Sequence, residues 1–84
     1  MHRLEITSLA RKQLESLRGS LRARIESAIA ALASSPRPHG ALKLANRANT
    51  WRIRVGDYRV IYEVHDRLVL VVIVRIAHRR EAYR

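Results

Sequence analysis

Residues 51–64 read WRIRVGDYRVIYEV, and this stretch decides the fold of the 84-residue chain. Apolar and polar side chains alternate on both sides of Gly56–Asp57, which is the period-2 pattern of strands with one buried and one polar face. A Gly-Asp pair suits a two-residue hairpin turn, and the length of the turn fixes the register. We therefore predict an antiparallel hairpin in which Arg54 lies opposite Arg59 and Arg52 lies on the same face.

The three arginines of this hairpin, Arg52, Arg54 and Arg59, are the best functional signal in the sequence. Like charges directly opposite each other destabilise a sheet by a fraction of a kcal/mol, roughly 0.2–1 on the scale of cross-strand pairs, so the arrangement makes sense if an anion binds there. The alternative is an ordinary polar face paired with Glu63 and Asp66. Two acids do not neutralise this face, and we therefore predict a phosphate-binding surface.

The remaining elements follow from periodicity on either side of the hairpin. Residues 2–6 alternate as a short strand, and helical spacing at 10–17 and 21–32 predicts a hairpin of two helices. Residues 36–49 hold both prolines and read as a loop, whereas 68–74 are apolar throughout, as in a central strand covered on both faces. We predict an α+β fold: an N-terminal strand and helical hairpin packed on one face of a mostly antiparallel sheet, with a short basic C-terminal tail.

Composition limits the classes of protein and partner. The chain has 17 Lys+Arg against 7 Asp+Glu, a net charge of +10, and 48% hydrophobic residues, too many for a disordered tail, so we predict one folded domain over residues 1–84. Fifteen of the basic residues are Arg, whose guanidinium suits phosphate and carboxylate oxygens, and a polyanion is the expected partner. Cysteine is absent and the longest apolar run is too short to span a bilayer, which favours a cytoplasmic protein without membrane contact.

The tail HRREAYR, residues 78–84, concentrates titratable side chains. His78 stands beside two arginines, and Tyr83 offers a phenol whose ionisation nearby positive charge favours. Each also has a plain structural explanation, because a histidine at a strand end is often merely polar surface and a terminal tyrosine is often a packing anchor. We leave His39, in the loop, outside the predicted site, because an exposed loop histidine more often has no role in function.

The chain resembles a known family, the RelE/ParE superfamily of bacterial type II toxins, and within it RelE more than ParE. The resemblance covers nearly the whole chain and is carried by residues 51–64, the apolar strand that follows and residues 78–84. It implies a RelE-like fold and an endoribonuclease, an mRNA interferase that enters the ribosomal A site, cuts mRNA and inhibits translation. It also implies neutralisation by a cognate acidic, RelB-like antitoxin, with operator DNA bound only through the complex.

Site residues carry over position by position from the resemblance. Arg52 and Arg54 match the basic pair on the second strand, and Arg59 matches the phosphate-binding arginine of the third. Arg79 matches the basic residue after the last strand and Tyr83 the C-terminal tyrosine. The histidine at the end of the last strand stands where several relatives place a histidine or lysine.

The implied reaction needs no metal and no cofactor: a ribose 2′-OH attacks the adjacent phosphate and gives a 2′,3′-cyclic phosphate and a free 5′-OH. It needs a base, an acid and cations that stabilise charge on phosphorus. Arginine stays protonated at physiological pH, so it supplies only the cations, and Arg59 and Arg79 stabilise the transition state. We assign proton transfer to His78 and Tyr83, without deciding which of the two is the base and which is the acid. The phosphate-binding residues are Arg52, Arg54, Arg59, Arg79 and Arg80.

Two other functions remain open at this point. One is a ParE-like inhibitor of DNA gyrase that uses the same scaffold without nuclease activity. The other is a degenerate toxin that retains only antitoxin binding. The arginine row and His78 favour the nuclease over the gyrase inhibitor.

Overall fold

The computed structural model describes residues 1–81 of the chain. The elements, in chain order, are β1 (Arg3–Ile6), α1 (Ser8–Glu15), α2 (Gly19–Ala31), β2 (Leu42–Lys43), β3 (Thr50–Val55), β4 (Tyr58–His65) and β5 (Leu70–His78), with a 3-10 turn at Asp66–Leu68 between β4 and β5. This confirms the predicted strand, helical hairpin and run of strands. Neither helix in the described part of the chain has the length and apolarity needed to cross a membrane.

The strands form one sheet in the order β1-β5-β4-β3-β2. β1 pairs in parallel with β5, where Arg3 lies opposite Leu70, and the other neighbouring strands are antiparallel. The predicted mostly antiparallel sheet is therefore confirmed. The first strand joins it at the edge, in a pairing that the sequence pattern did not specify.

The β3–β4 hairpin has the predicted register. Arg54 lies opposite Arg59, and Arg52 lies opposite Ile61. Gly56 adopts φ +59°, a left-handed conformation that glycine tolerates because it has no Cβ. The turn sequence thus fixes which side chains share a face.

Both helices pack on one side of the sheet, which we call the covered face and define by Val60, Tyr62 and Val64 of β4. Their buried partners on the helices are Ala10, Leu14, Ile25 and Ile29, and those on β3 and β5 are Ile53, Val55, Val71, Ile73 and Ile76. Burial of these apolar side chains away from water is the main force that holds the layers together. The opposite side, the open face, has no helix against it within residues 1–81.

The prediction that residues 68–74 form a strand covered on both faces is wrong in two respects. Leu68 lies in the turn and is 64% exposed, because β4 extends to His65 and the chain needs the following residues to reverse direction. The strand starts at Leu70, and Val72 and Val74 are only half-buried. The unbroken apolar run therefore predicted a strand correctly, but it did not indicate whether the second face of that strand is covered.

A β-bulge interrupts the pairing of β4 with β5. Ile61 lies opposite Arg75 but its neighbour Tyr62 lies opposite Ile73, so Val74 is an extra residue on β5. A bulge reverses the alternation of side chains beyond it. As a result Arg75, which strict alternation would point toward the helices, lies on the open face.

Tyr62 connects the covered face to the loop that precedes β2. Its side chain is fully buried, and its hydroxyl donates a hydrogen bond of 2.7 Å to the carbonyl of Pro36. Burial raises the pKa of Tyr62 to about 12, and the charge of Arg37 lowers it by a smaller amount. The phenol therefore stays neutral and holds the loop against the sheet.

Candidate functional site

Four arginines from three neighbouring strands share the open face: Arg52 and Arg54 of β3, Arg59 of β4 and Arg75 of β5. We call them the arginine face. In the register, Ile61 lies between Arg52 and Arg75, and Arg59 lies opposite Arg54. Directly opposite residues stand about 5 Å apart across a sheet, so four guanidinium groups occupy an area only three strands wide.

A small apolar cluster supports the arginine face from below. Ile61 is 2% exposed and Ala77 is 6% exposed, and Leu44 packs against them. Arginine stems cover apolar surface while the charged head remains available. In the register Ile61 lies between Arg52 and Arg75, whose stems are therefore placed to cover it.

Arg59 is the central residue of this face, and two of its nitrogens lack a partner. Its Nε and Nη1 atoms are buried and make no hydrogen bond within residues 1–81. A buried charged donor without a partner is costly, because water no longer solvates it and no acceptor replaces the water. Binding of an anion that supplies oxygen acceptors, after a local movement of the covering side chains, would remove that cost.

Glu63 and Asp66, the two acids considered as partners in the sequence, do not neutralise the arginine face. Glu63 pairs with His65, with 2.9 Å between Oε1 and Nε2. Asp66 accepts from Arg37 at 2.6 Å and lies 3.2 Å from Nε2 of His2. Hydrogen bonds from Arg37 and then His2 lower the pKa of Asp66. The alternative of an ordinary polar face paired with these acids is therefore wrong.

The first residues of the tail are held against the sheet. Nη2 of Arg75 donates to the carbonyl of Glu81 at 2.7 Å, and the backbone N–H of Arg79 donates to the carbonyl of Asp57 at 2.7 Å. The N–H of Glu81 donates to the carbonyl of His78 at 2.8 Å and closes a single turn. Arg75 thus links the arginine face to the tail.

His78 lies on the covered face, at the end of β5. It is opposite Tyr58, and the two rings meet edge to face with centroids 5.6 Å apart. Its Nδ1 accepts from the backbone N–H of Arg80 at 3.3 Å. Because the bulge at Val74 reverses the alternation of side chains along β5, His78 lies on the covered face and Arg75 on the open face.

The predicted site is therefore brought together only in part. Arg52, Arg54 and Arg59 share the open face, and the exposed Arg79 and Arg80 follow at the end of β5. His78 lies on the opposite side of the sheet from the three hairpin arginines. Tyr83 lies outside the described residues.

Two residues near the site were not predicted. Arg75 joins the arginine face because of the bulge, and the available signal was an arginine at a position that strict alternation would bury. His39 lines a cavity of about 340 Å³ together with Arg52 and Arg54; Gly40, Leu42 and Ile53 complete the lining. No sequence signal placed that loop beside β3.

Within residues 1–81, no group of three or more His, Cys, Asp or Glu side chains is placed to hold a metal ion.

Comparison with known proteins gives consistent matches. Residues 4–83 match the family described as ParE toxin of type II toxin-antitoxin system, parDE. Toxin RelG of Mycobacterium tuberculosis is 34% identical over 82 residues, which are 96% of this chain and 94% of the relative.

Solved structures share the fold over nearly the whole chain. The archaeal RelE–RelB complex from Pyrococcus horikoshii matches with a TM-score of 0.83 at 29% identity, covering 96% of this chain and 98% of that chain. The toxin–antitoxin complex RelBE2 from Mycobacterium tuberculosis matches with a TM-score of 0.79 at 28% identity, covering 92% and 96%. The isolated RelE toxin of E. coli, at 22% identity and a TM-score of 0.81, covers 93% and 84% and shares the fold.

Proposed function

This chain belongs to the RelE/ParE family of type II toxin–antitoxin toxins, and we propose that it is an endoribonuclease that cleaves mRNA in the ribosomal A site. The cut inhibits translation, and the reaction uses no metal. The relative named Toxin RelG, similar over almost its full length, supports the choice of a RelE-type toxin.

The observation that carries the proposal is the arginine face with the unpartnered nitrogens of Arg59. Sequence-independent binding of RNA rests on phosphate contacts, and guanidinium groups make them with two donors at once. Across one hairpin, Arg54 and Arg59 are directly opposite and repel each other in the free protein. A phosphate between them relieves that repulsion and supplies acceptors.

In the proposed mechanism the arginines bind the scissile phosphate and stabilise the negative charge that develops on it. The 2′-oxygen of the ribose forms a bond to phosphorus, the bond to the 5′-oxygen breaks, and the products are a 2′,3′-cyclic phosphate and a 5′-OH. Arg79 and Arg80, exposed at the start of the tail, extend the positive surface along the RNA. The resemblance gives proton transfer to His78 and Tyr83, but His78 lies on the covered face, away from these arginines, and Tyr83 lies outside the described residues.

Toeprinting on purified ribosomes tests this function. Ribosomes paused on a defined mRNA receive the protein, and primer extension maps any cut; we expect one within the A-site codon, with a 5′-OH on the downstream fragment. Arg59→Met, which keeps the length of the stem and removes the charge, should lower the rate of the cut by about 10²–10³-fold. Intact mRNA on ribosomes with the wild-type protein would refute the proposal.

A second function deserves a direct assay because the matching family is described by its ParE toxin. In this alternative the protein inhibits DNA gyrase and cleaves nothing. Inhibition of gyrase supercoiling together with intact mRNA on ribosomes would establish it. Absence of both activities in a protein that still forms a tight antitoxin complex would identify a degenerate toxin.

We also propose that the partner is an acidic, RelB-like antitoxin, because the structures from Pyrococcus horikoshii and Mycobacterium tuberculosis contain such toxin–antitoxin complexes. An acidic segment of the antitoxin would cover the arginine face and block access to RNA. Charge reversal in Arg59→Glu should then weaken the complex, and added salt should weaken the wild-type complex. Affinity insensitive to both would refute the electrostatic account.

The ribosomal target puts the protein in the cytoplasm, with operator DNA reached through the antitoxin.

A further inference from the structure

The proposed cleavage needs a proton acceptor on the same side of the sheet as the phosphate. Arginine remains protonated throughout the physiological range, so the arginine face has no base of its own. His78 lies on the covered face, against Tyr58. Within residues 1–81, a group that accepts the proton of the ribose 2′-OH must therefore come from another element near the open face.

The loop before β2 supplies such a group. β2 pairs with β3 only at Leu42 and Lys43, so the chain preceding Leu42 departs from β3 and leaves an opening beside Ile53 and Arg54. His39 lines this opening. A cavity of about 340 Å³ is at the lower end of the range for small-molecule sites, and two arginines of the arginine face, Arg52 and Arg54, line this one.

His39 differs from the other three histidines in having no partner within the described residues. His2 lies 3.2 Å from Asp66, His65 lies 2.9 Å from Glu63, and the ring of His78 contacts Tyr58. The side chain of His39 is exposed and forms no hydrogen bond in residues 1–81. A neutral imidazole with a free nitrogen accepts a proton at neutral pH.

We propose that His39 accepts the proton of the ribose 2′-OH while Arg52 and Arg54 hold the adjacent phosphate. This inference rests on the proposed function and adds a residue to it. The charged groups that line the cavity are these two arginines, and no carboxylate is among its lining residues. The cavity therefore attracts phosphate and does not offer the imidazole a competing ion pair.

The reaction balances without a further reagent. The bond between O2′ and phosphorus forms as the O2′ proton passes to an imidazole nitrogen of His39. The bond between phosphorus and O5′ breaks, and O5′ takes a proton from an acid of the tail or from water. The imidazolium then returns its proton to solvent, and no electron is transferred to or from any group.

The test is single-turnover cleavage of mRNA on programmed ribosomes, measured from about pH 5 to about pH 8 so that a histidine titrates within the range. We expect His39→Gln to lower the cleavage rate by about 10²–10⁴-fold, the usual contribution of a general base, without raising KM. The acidic limb of the pH profile should disappear with it. Free imidazole should restore part of the activity of His39→Ala.

The matched control is His65→Gln, which removes a histidine of the open face that pairs with Glu63 and lies at the other end of β4. It should cleave at the wild-type rate. Thermal unfolding of both glutamine variants should match the wild type, since His39 is exposed and His65 forms only a surface pair.

The outcomes separate the two proposals. No cleavage by the wild-type protein refutes the proposed function itself. Cleavage by the wild type, together with an unchanged rate and pH profile in His39→Gln, refutes the assignment of His39 and leaves the function standing. A raised KM with an unchanged rate constant would also refute proton transfer, because it indicates binding alone.

Discussion

The two faces of the sheet differ in whether their buried polar groups have hydrogen-bond partners. On the covered face, apolar side chains from β3, β4 and β5 pack against the helices, and the buried hydroxyl of Tyr62 has an acceptor in Pro36. On the open face, Arg54 lies opposite another cation and two buried nitrogens of Arg59 have no partner within residues 1–81. The first face stabilises the fold, whereas the second retains charge that the fold does not need. Local rules broken in this way are expected at binding sites.

The largest effect should come from the covered face. Ile73→Ala removes a fully buried side chain and leaves a cavity, so we expect the free energy of unfolding to fall by about 2–5 kcal/mol in urea titrations. Val72→Ala, the neighbouring residue on the open face, is half-buried and should cost less than about 2 kcal/mol. Equal losses would show that the two faces do not differ in packing.

Removal of charge from the open face should leave stability intact and reduce activity. Arg59→Met removes the phosphate contact, and we expect cleavage to fall by about 10²–10³-fold, which is about 3–4 kcal/mol of transition-state stabilisation. Its free energy of unfolding should be unchanged or higher, since an unpartnered buried charge is gone. Arg11→Met, on α1, is the control and should leave both quantities unchanged. A large loss of stability in Arg59→Met would overturn the contrast between the faces.

Tyr62→Phe tests the satisfied polar group of the covered face. Loss of the hydrogen bond to Pro36 should cost about 1 kcal/mol at neutral pH. The folded-state pKa of about 12 exceeds the unfolded value of about 10, so this stabilisation is complete below about pH 10 and is lost as the pH rises through 12. The phenylalanine variant should lack that alkaline loss in pH-dependent unfolding. The control is Tyr58→Phe, because Tyr58 is half-buried and its hydroxyl makes no hydrogen bond in the described residues. The same alkaline loss of stability in both variants would contradict the assignment.

The smallest effect should come from the opposed arginines. Arg54→Thr removes the repulsion with Arg59, and we expect a gain of about 0.2–1 kcal/mol in the free energy of unfolding at low salt. Salt should reduce the gain because it screens the repulsion in the wild type. Lys43→Thr, which removes a cation of β2 that lies opposite Trp51, should give no such gain. An equal gain in both variants would indicate a general effect of net charge.

The hairpin was predictable because its information is local. Alternation identified β3 and β4, and the two-residue turn at Gly56–Asp57 then left a single register, so the pairing of Arg54 with Arg59 followed from the sequence. Three of the four members of the arginine face were found in this way. The two helices were likewise predictable, because each repeats apolar residues at the helical period.

Non-local relations were not predictable. Arg75 reaches the open face only through the bulge at Val74, and an arginine at a position that strict alternation would bury hints at an irregularity without locating the extra residue. His39 lines the same cavity as Arg52 because a loop of irregular backbone returns to the edge of β3, which periodicity does not encode. The pairing of β1 with β5 depends on contacts between distant segments and not on the pattern of either strand.

The position of β5 between β1 and β4 sets an order of events during synthesis. β1 is translated before the other four strands of this sheet, yet its partner β5 is translated after them, and β5 also carries Arg75. A nascent chain that lacks β5 has an unpaired first strand and an incomplete arginine face. The ribosome that makes this protein therefore releases β5 before the molecule can assemble its full set of arginines.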